Sequence, residues 1–88
     1  MRSLVVLGRR WFCESQGATY FSVRIFVDGK QVHYEPYEYG YGEHYQTYAA
    51  QWLMSYGYLD TVQLFLESKA KGVDLVIDGV DVARKRDL

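Results

Sequence analysis

The stretch YEPYEYGYGEHYQTY, residues 34–48, decides how the chain is read. Six of the nine tyrosines lie in it, with Pro36, Gly40, Gly42 and His44 among them. Pro36 has no N–H to give to a ladder, so a strand arriving through Tyr34 runs along a sheet edge there or ends. After Gly42 the apolar period changes. Tyr45, Tyr48, Ala49, Trp52, Leu53 and Tyr56 fall on one helical stripe, with Gln46, Thr47, Gln51 and Ser55 opposite. The stretch reads as a strand passing through a glycine-hinged loop into a helix.

Working outward toward the N-terminus, Thr19–Val27 alternates cleanly. Thr19, Phe21, Val23, Ile25 and Val27 share a core face, while Tyr20, Ser22, Arg24 and Phe26 share a mixed one. Asp28-Gly29 follows at once, a hairpin signal because a type I′ turn needs positive φ at both central positions. Strand three then covers about Lys30 to Glu35. Residues 3–12 form a first strand, with Gly8 marking a bulge or a close backbone approach. Toward the C-terminus, Gly57 ends the first helix and a second begins with Asp60 as N-cap. Gln63 stands at the capping-box position and Leu59 with Leu64 form a hydrophobic staple. Val62, Phe65, Leu66 and Lys69/Ala70 carry its apolar stripe, and Gly72 stops it. Residues 73–77 are a strand again. Asp78-Gly79 then reads as a second hairpin, or alternatively as a bulge in one long strand. The expected fold is α+β: an antiparallel sheet in the order β-β-β-α-α-β, with a final hairpin preferred, and two helices on one face.

Eighty-eight residues make one domain, residues 1–88. The chain is 49% hydrophobic and 17% aromatic, with a formal charge of −1 that gives no pull toward nucleic acid. The acidic Glu35, Glu38 and Glu43 argue against a nucleic-acid backbone beside the tyrosines as well. The single Cys13 excludes an internal disulfide and a cysteine zinc cluster and fits a reducing cytoplasm. The apolar run Leu4–Leu7 is too short for a signal core or a membrane span. A small, aromatic-rich, nearly neutral chain implies homo-oligomer formation, with the first strand and the Pro36 region as edges to cover.

Catalytic chemistry is thinly represented. There is no GxSxG, no phosphate-binding glycine loop, no dinucleotide fingerprint and no HExxH, so the sequence points to a non-enzyme without cofactor or metal. His44 beside Glu43 reads as a polar residue at a helix start, and Cys13 as a structural thiol. The candidate site is one of binding. Arg9, Arg10 and Trp11 set cations beside a flat ring. The bland alternative is that their stems pack on the sheet while the charged heads reach water. Tyr37, Tyr39 and Tyr41 alternate after Pro36 and are hinged by glycines, which places them on a recognition loop. His44 and the helix start after Gly42 would offer N–H groups to an anion. The basic run Arg84-Lys85-Arg86 reads as a solvated end or as a phosphate or partner contact.

The segments LGRRWF (residues 7–12), GATYFSVRIFVDGK (17–30), YEYGYGEHY (37–45) and VARKRDL (82–88) together resemble small accessory proteins encoded in bacteriophage genomes. The resemblance spans most of the chain and rests on no mechanistic motif. It implies action in the cytoplasm of a bacterial host by binding and blocking, including inhibition of defence proteins and sequestration of nucleotide signals. Two expectations follow. One is a binder of a nucleotide-like anion, with tyrosine rings on the base and Arg9 or Arg10 on phosphate. The other is a protein–protein module, a homo-oligomer or an inhibitor of a host defence protein, with Tyr37, Tyr39 and Tyr41 as anchors.

Overall fold

The computed structural model describes all 88 residues. Its elements are β1 (Ser3–Cys13), β2 (Ala18–Val27), β3 (Lys30–Tyr39), α1 (His44–Ser55), α2 (Leu64–Ala70) and β4 (Asp74–Val82), followed by a 3₁₀ turn at Lys85–Asp87. The strands form one sheet in the order β3-β2-β1-β4, and both helices lie on one face. The α+β class is the expected one. The turn between β2 and β3 is also as expected, with φ of 51° at Asp28 and 81° at Gly29. Asp28 does a second job. Its Oδ1 accepts the N–H groups of Arg2 at 2.6 Å and Ser3 at 3.1 Å, which tethers the start of β1 and holds this carboxyl below its usual range.

Alternation sets the two faces of the sheet. Leu4 and Val6 of β1 and Phe21, Val23, Ile25 and Val27 of β2 turn toward the helices. Tyr45, Ala49, Ala50 and Leu53 of α1 meet them, and Leu59, Leu64 and Val73 close the core at one end. Two glycines fix how α1 sits. Gly8 and Gly79 are direct partners across β1 and β4, and the Tyr45 ring lies in the trough they leave. A Cβ on Gly8 would stand 2.4 Å from that ring, and one on Gly79 would stand 2.5 Å from its hydroxyl. Of the two readings of Gly8, close approach is the one found. α1 ends in a Schellman motif. Gly57 takes φ of 81°, its N–H donates to Met54, and the Tyr58 N–H donates to Leu53.

Four expectations are corrected. First, residues 74–82 form one straight strand, paired with β1 without a bulge, and not a hairpin. Gly79 lacks the positive φ of a turn glycine. It is glycine because Tyr45 needs the room. The apolar phase changes there because Val76, Val80 and Val82 face away from the helices. Second, β4 is parallel to β1, so the sheet is mixed. The helical pair carries the chain back to the end where β3 began, and the next strand then runs in the direction of β3 and β1. The first strand is thereby interior, and the edges are β3 and β4. Third, α2 begins at Leu64, and Asp60 caps nothing. The Glu67 carboxylate reaches back to accept the N–H of Asp60 at 2.8 and 2.9 Å and that of Thr61 at 2.7 Å. The later start rotates the stripe, so that Leu64 and Ser68 point inward while Val62, Phe65 and Leu66 point out. Fourth, Tyr56, at the end of the apolar stripe of α1, is exposed and outside the core.

Candidate functional site

The third strand passes Pro36 and continues to Tyr39 because of a bulge. Glu35 and Glu38 pair with Val23 and Phe21, so Pro36 and Tyr37 together stand opposite the single residue Ser22. The extra residue changes the phase of the strand. Tyr37 and Tyr39 are turned to the face without helices, the face that already holds Tyr20 and Trp11. These two tyrosines therefore belong to a strand, and of the three expected on the loop only Tyr41 is there.

On that face the rings form a row across three strands. Trp11 stacks on its cross-strand partner Tyr20 at 6.0 Å, and Tyr20 stacks on Tyr37 at 4.7 Å with planes 13° apart. Tyr39 meets Tyr20 edge-on at 5.8 Å. The row is finished by a cation: Lys85 Nζ lies 4.6 Å from the centre of the Tyr37 ring. Burial among these rings pushes the Tyr20 phenol above its ordinary value, and its O–H donates to Gln16 Oε1 at 2.6 Å. The segment carrying Lys85 crosses the face. Arg9 Nη1 donates to the Asp87 carbonyl at 3.0 Å, and Leu88 beyond it is buried. Further along the same face, Arg24 lies over the Tyr34 ring at 4.4 Å. Cys13 sits at the end of β1, where a hydrogen bond with Ser15 lowers its thiol pKa.

The expected site residues are thus divided between the two faces. Arg9, Trp11, Tyr37 and Tyr39 come together on the helix-free face. Arg10 goes to the other face, where Nε donates to Asp81 and Nη1 to the Gly42 carbonyl, each at 2.9 Å. This arginine ties the end of the tyrosine loop to β4. Tyr41 and His44 are joined locally: the Tyr41 N–H donates to His44 Nδ1 at 3.2 Å, and the two rings lie 4.9 Å apart. Three of the first four N–H groups of α1 are also taken. His44 donates to the Tyr41 carbonyl, and Gln46 and Thr47 donate to Glu43. Sequence reading did not bring in Tyr20, Arg24 or Lys85. The alternation of β2 was the available signal for the first two; the basic run Arg84-Lys85-Arg86 marked Lys85 as a solvated or contact residue, but its place on this face depends on where the chain returns.

A second aromatic group lies on the helix side at the β3 edge. His33 Nε2 and the Tyr48 hydroxyl are 2.8 Å apart, Tyr48 donates to Glu35 Oε1 at 3.3 Å, and Trp52 stacks on His33 at 4.6 Å. Burial, reinforced by the Glu35 charge, pushes the Tyr48 phenol up to about 12. This group joins α1 to β3.

Three of the surface hollows lie away from the aromatic row, and the fourth is bordered by Tyr39 at its side. One is an apolar groove of about 410 Å³ between α1 and α2, lined by Ala50, Leu64 and Phe65. Another, of about 680 Å³, lies above β4 beside Phe65, Ser68 and Ile77. The remaining two adjoin Arg10 and His44. No group of three or more histidine, cysteine or carboxylate side chains is placed to hold a metal ion. No helix is long and apolar enough to cross a membrane. Comparison with protein-family models, with curated proteins and with solved structures finds no match.

Proposed function

We propose that the protein is a non-enzymatic interaction module whose working surface is the helix-free face of its sheet. One observation carries this reading. Trp11, Tyr20 and Tyr37 are already stacked on one another across three strands, with Lys85 closing the row and Tyr39 62% exposed at its side. Such rings lose little entropy on binding and present edges and hydroxyls to a partner on a flat area. Small ligands prefer concave sites, and no hollow of this molecule is lined by the stacked rings Trp11, Tyr20 and Tyr37; Tyr39 alone borders one, on the side toward His44 and Tyr48. A protein surface is the better occupant. Arg9, Arg24 and Lys85 on the same face favour a partner whose apolar contact area is rimmed by carboxylates. On the resemblance to small bacteriophage proteins, that partner is a host defence protein in the bacterial cytoplasm.

A nucleotide-like anion is the second reading, favoured by the cations Arg9 and Lys85 beside the open ring of Tyr39. The two are separated by Tyr39→Ala and Lys85→Ala, with folding checked by circular dichroism. On the first reading, capture of a host protein is lost in Tyr39→Ala while a panel of nucleotides leaves the thermal midpoint of the wild type unchanged. A nucleotide-dependent rise that disappears in Lys85→Ala replaces it with the second. Retention of both activities in Tyr39→Ala removes this face from consideration.

A further inference from the structure

The two edges of the sheet are not alike. β3 carries Pro36, two irregularities in its pairing with β2, and the charges of Glu35 and Glu38, all devices that discourage a further strand. β4 has none of the first two. It runs nine residues in unbroken register with β1 and contains no proline and no lysine. The Asp74 N–H donates to the Arg2 carbonyl at 2.9 Å, so the even-numbered residues of β4 spend their backbone groups on β1. Leu75, Ile77, Gly79 and Asp81 point theirs outward, and no other part of the backbone meets them. Exposed apolar groups flank this edge on both sides. Val76 and Val80 are 54% and 46% exposed on the helix-free face, and Phe65 of α2 is 63% exposed on the other, beside Leu75 and Ile77.

We propose that the β4 edge pairs with the β4 edge of a second copy, antiparallel about a two-fold axis at Gly79, to make one eight-stranded sheet. Charge selects the register. An axis at Asp78 would set two carboxylates directly opposite each other, which is destabilising. An axis at Gly79 sets Val76 opposite Val82 and Asp78 opposite Val80 and brings the extended Arg84, two residues past the end of β4, beside Asp74. Both Asp74–Arg84 contacts are then attractive, and the exposed valines of the two copies cover one another. The outward groups of Leu75, Ile77, Gly79 and Asp81 fall in hydrogen-bonded positions, as an isologous pair requires. This surface is separate from the aromatic row.

Sedimentation equilibrium on the full chain, from micromolar to near-millimolar concentration, reads the assembly. The wild type is expected to be a dimer. Val76→Lys should weaken it by at least about tenfold, because each cross-strand contact occurs twice, without altering the circular dichroism spectrum. Asp74→Arg should weaken it several-fold, and Asp74→Arg/Arg84→Asp should restore it. Amide exchange gives an independent readout: the N–H groups of Ile77, Gly79 and Asp81 should exchange slowly in the dimer and fast in the Val76→Lys monomer. A wild type that stays monomeric throughout overturns the proposal. So does a dimer that survives Val76→Lys, or one that is lost in Tyr39→Ala instead. Failure of the charge exchange to restore assembly overturns the Gly79 register.

Discussion

Gly8→Ala adds one methyl group to the best-defined contact between the two layers. The new Cβ would stand 2.4, 2.5 and 2.8 Å from Cδ2, Cγ and Cε2 of Tyr45, where ordinary contact begins at 3.4 Å. The ring must retreat by about 1 Å, and on a steep repulsive wall no smaller movement relieves the clash. It is 4% exposed and cannot slide toward β4, where Gly79 lies close against its hydroxyl. The ring can only lift, taking with it the turn of α1 that buries Ala49. Overpacking of this kind costs about 1–3 kcal/mol, set against the roughly 0.5–1 kcal/mol that alanine gains over glycine within a strand. Tyr45→Ala should itself cost about 3–5 kcal/mol by leaving a ring-sized cavity. In that background the methyl group meets nothing, and Gly8→Ala should be neutral or slightly stabilising. The difference between the two backgrounds, read from urea unfolding by tryptophan fluorescence, should equal the overpacking cost, about 1–3 kcal/mol. A stabilising osmolyte such as sucrose, which is excluded from the protein surface, can be held constant through the cycle to keep every variant folded. Equal losses with and without the Tyr45 ring would refute the glycine trough as the docking device.

Two further outcomes follow from the hydrogen bonds. Glu67→Gln should destabilise by about 1–3 kcal/mol, since this nearly buried carboxylate accepts the N–H groups of Asp60 and Thr61, whereas Asp60→Ala should cost less than about 0.5 kcal/mol because it loses only an exposed ion pair with Lys71. Urea midpoints in the reverse order would restore Asp60 as the cap. Tyr48 holds its proton in the folded state up to about 12, while the unfolded chain releases it near 10. The folded state then binds more protons in that window, so stability should fall as pH rises from about 10 to 12. Tyr48→Phe should flatten this part of the profile, and an unchanged slope would dismiss the effect.

The parts of the fold legible in the sequence are those set by local chemistry. Asp28-Gly29 needs only its own two φ angles, the alternation of β2 only its own period, and the end of α1 only Gly57. What was misread depends on partners far away in the chain. Asp78-Gly79 carries the same dipeptide as Asp28-Gly29, yet its glycine answers to Tyr45, more than thirty residues earlier, and no turn exists there. Asp60 and Gln63 have the spacing of a cap, but Glu67, one turn further on, takes the N–H groups of Asp60 and Thr61, and the Gln63 N–H goes to Thr61 Oγ1. Four of the seven expected site residues do share a surface. They do so through a bulge at Pro36 that turns Tyr37 and Tyr39 over; of the two readings of Pro36, a sheet-edge position and the end of a strand, the edge is the one found. Arg10 differs from Arg9 only by the alternation of β1, and that single step sends it to Asp81 and Gly42 on the other face.

The glycine trough also bears on both proposals. Placing Tyr45 over Gly8 and Gly79 draws the start of α1 above β1 and β4, and α2 then lies over the first half of β4 with Phe65 facing out. The layer of helices, twelve and seven residues long, is shorter than the 43 Å length of the molecule. Neither helix is placed to cover the outer edge of β4, and the helix-free face has no second layer beyond the segment held by Arg9 and Lys85. Pairing through β4 would join the helix-free faces of two copies into one continuous surface, with an aromatic row on each side of the two-fold axis. A partner with two matching patches would then bind with the gain that comes from linked sites, while a partner with one patch would not. The edge proposal therefore makes a statement about the face proposal: Val76→Lys, which leaves every ring of the row in place, should weaken capture of a two-patch partner and leave capture of a single-patch partner unchanged.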